Sequence, residues 1–98
     1  MNDFVWDEEK SRLNVLKHGV SFELAIEVFQ DPRCLTKIDE RFDYGEQRWV
    51  TTGLVRGIVI LLVVYTEQSE NEEEIDVIRI ISARRASRQE REAYERQK

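Results

Sequence analysis

The sequence predicts one α+β domain, in which two N-terminal helices are followed by a four-stranded antiparallel sheet and a C-terminal helix. Three observations predict this class. The chain has 98 residues, enough for a single hydrophobic core. Apolar residues recur with helical spacing before residue 31 and with a period near two from residue 34 to residue 82. The connections between successive strands are short, which favours antiparallel pairing.

Capping residues bound the two N-terminal helices. Asp7 precedes an acidic first turn, and Gly19 follows two basic residues, as the helix dipole favours. The apolar stripe expected for this first helix consists of Leu13, Leu16 and Val20. Ser21 caps the second helix, which an Asp-Pro pair ends at residues 31 and 32. Its expected buried face consists of Phe22, Ala25, Ile26 and Phe29.

The four predicted strands cover residues 34 to 42, 46 to 55, 58 to 66 and 75 to 82. The first alternates in polarity, which is typical of a half-exposed strand near a sheet edge. The third is continuously apolar and belongs in the centre of the sheet. Arg56 and Gly57 form a tight turn, and the polar residues 67 to 74 form a longer hairpin loop.

The C-terminal helix begins at a capping box made by Ser87 and Glu90. Ala93 and Tyr94 are the apolar contacts that the sequence offers along it. A helix with so little to bury either lies loosely on the sheet or packs against another molecule.

The formal net charge of -5 conceals two blocks of opposite sign. Residues 67 to 76 carry six acidic groups and no basic ones, whereas residues 79 to 98 carry seven basic and three acidic groups. The total therefore does not exclude a nucleic-acid partner. A single cysteine, Cys34, no apolar run that could span a membrane and an acidic N-terminus without a signal peptide predict a cytoplasmic protein with no membrane contact.

Several familiar catalytic patterns are missing from the sequence. It has no glycine-rich phosphate loop, no spaced set of metal ligands and no nucleophile elbow. His18 is the single histidine, which excludes a ribonuclease mechanism based on two histidines. We therefore expect neither a metal nor another cofactor.

Four arginines stand within ten residues near the C-terminus: Arg79, Arg84, Arg85 and Arg88. Arg79 lies in the fourth predicted strand, and a guanidinium there cannot lose its charge. It either forms a structural ion pair with Glu46 or Asp39, or faces a solvated surface and binds an anion. The density of arginine favours a phosphate site.

Other candidates have both a structural and a functional interpretation. Lys17 and His18 complement the dipole at a helix end or take part in catalysis. Trp49 is a core residue or a surface on which a base stacks. Glu46 is a general base or the partner of an arginine.

Three segments, in order along the chain, carry a resemblance to a known family. They are Phe4-Val5-Trp6-Asp7 with Lys17-His18-Gly19-Val20-Ser21-Phe22-Glu23, then Gly45-Glu46-Gln47-Arg48, then Arg79-Ile80-Ile81-Ser82-Ala83-Arg84-Arg85-Ala86. Together they are similar to the motifs of BrnT-type toxins, and the similarity covers nearly the whole chain.

This resemblance implies a RelE-like fold and an endoribonuclease toxin of a type II toxin-antitoxin system, which cleaves RNA and inhibits translation. The implied partner is a BrnA-type antitoxin with a ribbon-helix-helix domain. That antitoxin would neutralise the toxin, and only the complex of the two would bind operator DNA.

The resemblance also suggests roles for the candidate residues. Arg79 and Arg84 would stabilise the charge of the transition state, Glu46 would be the base, and Lys17 or His18 the acid. The residues expected to bind RNA are Arg48, Trp49, Arg85 and Arg88.

The chain departs from the family pattern after residue 66. Gln68 stands where the family commonly has arginine, and an acidic run follows it. An alternative function is therefore a catalytically impaired homologue that binds the antitoxin and regulates the operon. A metal-dependent nuclease is disfavoured, because the acidic residues form a run rather than a spaced ligand set.

Overall fold

The computed structural model describes residues 3–41, 45–69 and 77–97, in which a five-stranded mixed sheet lies against helices. The strand order across the sheet is β1-β5-β4-β3-β2. In chain order the elements are β1 Asp3–Val5, α1 Glu8–His18, α2 Phe22–Ala25, a 3-10 helix Ile26–Gln30, β2 Leu35–Ile38, β3 Trp49–Val55, β4 Val59–Gln68, β5 Val77–Arg85 and α3 Arg88–Arg96. None of the helices in these ranges has the length and apolar content needed to cross a bilayer.

The α+β class is confirmed, but the prediction of four antiparallel strands is wrong. The chain begins with β1, which pairs in parallel with β5, whereas the other three pairings are antiparallel. A strand of three residues is too short to show a period of two in the sequence. It forms because its backbone covers part of the β5 edge.

The limits predicted for α1 are confirmed, and its predicted apolar stripe is wrong. Asp7 accepts hydrogen bonds from two backbone amides of the first turn, and Gly19 ends the helix with a φ of 71°. Val20 is buried, but Leu13 and Leu16 are 49% and 71% exposed. The residues that α1 buries are the polar Ser11 and Asn14.

Asn14 explains this reversal. Its amide Nδ2 donates to the carbonyls of Val20 and Ala83, at 2.8 and 2.9 Å, and its Oδ1 accepts from the Ala83 amide at 3.2 Å. Ala83 lies on β5 beyond the reach of β1. The side chain of Asn14 thus takes the place of a neighbouring strand, and α1 lies along the β5 edge.

The second predicted helix is also more complex than expected. Ser21 caps it as predicted, since its hydroxyl accepts from the Leu24 amide at 3.1 Å. The helix has α geometry for four residues only and continues as a 3-10 helix to Gln30. Phe22, Ala25 and Val28 are fully buried against the sheet, while Ile26 and Phe29 pack at the margin of the same core.

The strands differ from their predicted limits. β2 is only four residues long, and β3 begins at Trp49 rather than at residue 46. β5 continues to Arg85, three residues beyond the predicted end of the fourth strand, so Arg84 and Arg85 both lie in this strand. The turn at Arg56 and Gly57 is confirmed, with positive φ at both residues. The predicted loop and strand residues at positions 42–44 and 70–76 lie outside the described residues.

The capping box that begins α3 is confirmed, and the interpretation of a loosely placed helix is wrong. Tyr94 is buried, and its hydroxyl donates to Oδ2 of Asp31. Arg33 donates to the carbonyl of Gln97 at 2.6 Å, and the Gln97 amide donates back to the Arg33 carbonyl. The helix is therefore held by polar contacts with residues 31 and 33, which its apolar content alone does not reveal.

Candidate functional site

One face of the sheet points away from α1 and α2, and α3 overlies one end of it. We call it the open face. Its residues in the central strands include Val50, Thr52, Leu62, Val64, Thr66, Arg79, Ser82 and Arg84. Val50, Leu62 and Val64 form a small apolar cluster in the middle, packed against Ile81. Charged side chains lie toward the two ends of this cluster.

Two arginines lie in one row across the open face. Thr66 of β4 is paired with Arg79 of β5. Trp49 is paired with Tyr65, so Arg48, one residue earlier, comes level with Thr66 on its other side. Because neighbouring strands are about 4.8 Å apart, the Cα atoms of Arg48 and Arg79 are about 10 Å apart. The structure thus brings together two residues that are far apart in the sequence.

Arg79 is exposed, and it forms no hydrogen bond or ion pair with any other residue that the structure describes. The carboxylate of Asp39 instead accepts two hydrogen bonds from Arg41, at 2.9 and 3.0 Å. Glu46 is exposed and does not contact Arg79 either. The alternative of a structural ion pair between Arg79 and one of these two carboxylates is therefore wrong, and the guanidinium faces solvent.

Backbone irregularity adjoins this row. The pairing of β4 with β5 shifts register between Val64 and Tyr65, because Ile81 is an extra residue on β5. Such a bulge increases the local twist and redirects side chains, and bulges are frequent beside active sites. Here it lies two residues beyond Arg79.

Arg84 lies at the other end of the open face, about 13 Å from Arg79 along the strand. Its Nη1 and Nη2 donate to the two carboxylate oxygens of Glu90, at 2.7 and 2.9 Å. The guanidinium lowers the pKa of Glu90 to about 2, and the carboxylate raises the pKa of Arg84. Arg84 is thus engaged by α3.

The other basic candidates lie away from the row of Arg79. Arg85 is paired with Leu61, so it points to the opposite face of the sheet. Arg88 is the first residue of α3, where its Nε donates to Glu92 at 3.2 Å. Lys17 and His18 form the last turn of α1, beside the β5 edge. The four clustered arginines of the sequence therefore serve three different surfaces.

Trp49 and Glu46 precede the row on β3. The ring of Trp49 is half-buried and packs against the core on the face of α1 and α2, so only part of it is accessible to a base. Glu46 is exposed, two residues before Arg48. Glu46 therefore lies close to Arg48, at the β3 end of the row that Arg48, Thr66 and Arg79 form.

A groove runs along the open face between β2 and α3. It combines two adjoining cavities of about 430 and 290 Å³, which share Lys37, Leu62 and Glu90. Its floor is apolar, and Lys37 and Arg41 stand on the wall opposite α3. Neither cation was among the candidate site residues, although the alternation of residues 34 to 42 places both on one face of the strand. Among the described residues, no group of His, Cys, Asp or Glu could hold a metal ion.

Comparison with known proteins identifies the family to which the chain belongs. The family model described as the ribonuclease toxin BrnT of type II toxin-antitoxin systems matches residues 6–90. The chain belongs to the BrnT family. The matched residues include β2, β3, β4 and β5, the strands that carry the open face.

A solved structure supports the same relationship. The crystal structure of the Brucella abortus ribonuclease toxin BrnT is similar to this one, with a TM-score of 0.64 and 26% sequence identity. The similarity covers 90% of this chain and 100% of that chain. Among curated proteins, none matches the chain. Membership of the BrnT family identifies the chain as a toxin of the type II class and implies an antitoxin partner.

Proposed function

We propose that this BrnT-family chain is a metal-independent endoribonuclease, which cleaves RNA on the open face and thereby inhibits translation. The observation that carries the proposal is the row of Arg48 and Arg79 across three strands, with Arg79 exposed and not neutralised by any described carboxylate. Two guanidiniums at this spacing suit adjacent phosphate oxygens of one RNA strand.

The chemistry needs no bound ion. The 2′ oxygen of one nucleotide attacks the adjacent phosphorus while the bond from phosphorus to the 5′ oxygen breaks. This leaves a 2′,3′-cyclic phosphate and a 5′-hydroxyl. Arg79 stabilises the additional negative charge on the phosphoryl oxygens, and such stabilisation is commonly the largest catalytic contribution. Arg48 holds the same phosphate or its neighbour.

Proton transfer completes the reaction. Glu46, exposed near the end of the arginine row, takes the proton of the 2′-hydroxyl. Lys17 and His18, the acids that the family resemblance suggests, lie beside the β5 edge and away from the row of Arg79. We therefore assign them to contacts with the RNA beyond the cleaved phosphate, and the 5′ oxygen takes its proton from water. Arg84 and Arg88 contribute to RNA binding near α3, and Arg85 does so only for RNA that reaches the opposite face.

The partner in this proposal is a BrnA-type antitoxin with a ribbon-helix-helix domain. By covering the toxin it prevents access of RNA, and it takes the complex to operator DNA. The reaction takes place in the cytoplasm, where both the RNA and the antitoxin are made.

The experiment is induced expression in cells without the antitoxin, combined with an RNA cleavage assay of purified protein. We expect growth arrest from the parent chain and from Arg12→Ala, and none from Arg79→Ala. Arg12 is the matched control because it is exposed on α1 and pairs only locally, with Glu9. Growth arrest by Arg79→Ala at parental levels would remove this arginine from the mechanism.

One observation favours the alternative of an impaired homologue. Gln68 is paired with Val77, two residues beyond Thr66 on β4, so it also lies on the open face. The position at which the family commonly has arginine is thus adjacent to the row of Arg79, and here it is neutral. If the parent chain neither arrests growth nor cleaves RNA but still binds its antitoxin, this alternative is correct.

A further inference from the structure

The hydroxyl of Thr66 is a buried polar group without a hydrogen-bond partner among the residues that the structure describes. The residue is 3% exposed and lies near the C-terminal end of β4, the longest strand and the central one of the sheet. Nearly all buried hydroxyls in proteins are hydrogen-bonded, and one that is not calls for a ligand, a water molecule or a functional role. The position of Thr66 favours a ligand.

Thr66 lies between the two arginines of the open face. It is paired with Arg79 on one side, and Arg48 is level with it on the other. Side chains at directly opposed positions have Cβ atoms about 5 Å apart, so a hydroxyl here is within reach of any anion that contacts both guanidiniums. The bulge at Ile81 increases the twist of the strand pair at the same place.

We propose that Thr66 is a phosphate-binding residue, whose Oγ1 donates a hydrogen bond to a non-bridging oxygen of the RNA phosphate held by Arg79. This inference rests on the proposed function and adds a neutral donor to its cations. Arg79 is the cross-strand neighbour of Thr66, and no ion pair with a described residue restrains its side chain. The proposal requires this side chain to leave Oγ1 accessible to the phosphate that it holds.

A neutral donor and a cation have different thermodynamic signatures. An arginine on a phosphate releases counterions, so its removal reduces the dependence of binding on salt concentration. A hydroxyl carries no charge, so its removal weakens binding equally at all salt concentrations. A residue that only supports the fold would change neither quantity in a folded variant.

The test uses a short single-stranded RNA with 2′-O-methyl groups at every ribose, which binds but cannot be cleaved. Its Kd is measured at four salt concentrations for the parent chain, Thr66→Val, Thr66→Ser and Arg79→Ala. We expect Thr66→Val to bind about tenfold more weakly with an unchanged salt slope, because one hydrogen bond to a charged oxygen is lost. Thr66→Ser keeps parental affinity, and Arg79→Ala lowers the slope.

Two controls separate binding from folding. Thr52→Val changes another buried threonine of the open face, two rows away, and keeps parental affinity. The melting temperature of Thr66→Val is equal to or above that of the parent chain, because valine fills the same volume without an unsatisfied hydroxyl. If Thr66→Val does not fold, Thr66→Ala is compared with Thr66→Ser in the same assay.

The outcomes are distinct for the two proposals. Parental affinity in Thr66→Val, equal weakening in Thr66→Ser, or no binding of the probe by the parent chain would each overturn the role of Thr66. If the parent chain cleaves natural RNA in the first case, the proposed function survives without it. If Thr66 contributes to binding but the parent chain cleaves no RNA, the binding site stands and the proposed activity does not.

Discussion

Arg84 and Glu90 form a bidentate ion pair that joins the end of β5 to the first turn of α3. The Nη1–Oε1 and Nη2–Oε2 distances are 2.7 and 2.9 Å. The same carboxylate accepts a hydrogen bond from the Ser87 amide at 2.7 Å as part of the capping box. Arg84, to which the family resemblance assigns transition-state charge, is therefore engaged in holding the first turn of α3 to the end of β5.

This ion pair predicts how the stability of the fold depends on pH in the acidic range. Arg84 lowers the pKa of Glu90 from 4.5 to about 2, so the folded state favours the ionised carboxylate. The stabilisation is complete above about pH 4.5 and is lost as the pH falls toward 2. We expect Glu90→Gln to lower the free energy of unfolding by about 1 to 2 kcal/mol at neutral pH, a value that allows for solvent screening of a partly exposed pair.

Urea denaturation between pH 7 and pH 2.5 measures this difference. The two proteins should converge as the pH falls. The control is Glu92→Gln, the same change in the exposed pair of Arg88 and Glu92, which should cost less than about 0.5 kcal/mol. A constant difference between Glu90→Gln and the parent chain at all pH values would contradict the linkage.

Tyr94 predicts an effect at alkaline pH. Burial, followed by the hydrogen bond to Asp31, raises its pKa to about 12, so the folded state favours the neutral phenol. The stabilisation is present below pH 10 and is lost as the pH rises toward 12. Tyr94→Phe should lower the free energy of unfolding by about 1 to 2 kcal/mol at pH 7. A urea titration checks the value, and an unchanged midpoint would show that α3 does not depend on this contact.

Asn14 predicts an unusual ranking of substitutions on α1. Asn14→Ala removes the hydrogen bonds to both backbone groups of Ala83 and should cost about 2 to 3 kcal/mol. Leu16→Ala on the same helix should cost less than about 0.5 kcal/mol, because the side chain is 71% exposed. The melting temperatures of the two variants test this ranking, and Asn14→Ala should have the lower one. A more damaging effect of Leu16→Ala would restore the apolar stripe that the sequence predicted.

Gln68 predicts a gain of function. Gln68→Arg introduces a cation beside the row of Arg79 and should increase the affinity for single-stranded RNA several-fold at low salt, with a steeper salt dependence. Gln30→Arg is the matched control, since Gln30 is exposed at the end of the 3-10 helix, away from the open face. Equal increases in both variants would indicate a general effect of charge instead of a site.

Local signals predicted much of the fold. Asp7, Gly19, Ser21 and the capping box at Ser87 act on their own neighbours, so the sequence around them was sufficient. β1 was missed because three residues carry no period, and its pairing partner lies more than 70 residues away. The burial of Asn14 was missed because hydrophobicity does not show that an amide can replace a strand.

The candidate site was harder to predict. Its residue types were available from the sequence, but their arrangement depends on register. Arg48 and Arg79 come together only because β4 lies between β3 and β5. Adjacent residues such as Arg84 and Arg85 separate because successive side chains of a strand point to opposite faces. No property of a single residue indicates which face it shares with another.

The central claim is cleavage of RNA by its own 2′-hydroxyl at Arg79, without a metal. Purified protein is incubated with an end-labelled single-stranded RNA in the presence of a chelator, and the product ends are identified by mass spectrometry. The account predicts a 2′,3′-cyclic phosphate and a 5′-hydroxyl, formed by the parent chain and by Arg12→Ala but at least about a hundredfold more slowly by Arg79→Ala. Products with 3′-hydroxyl and 5′-phosphate ends, or full activity of Arg79→Ala, would contradict it.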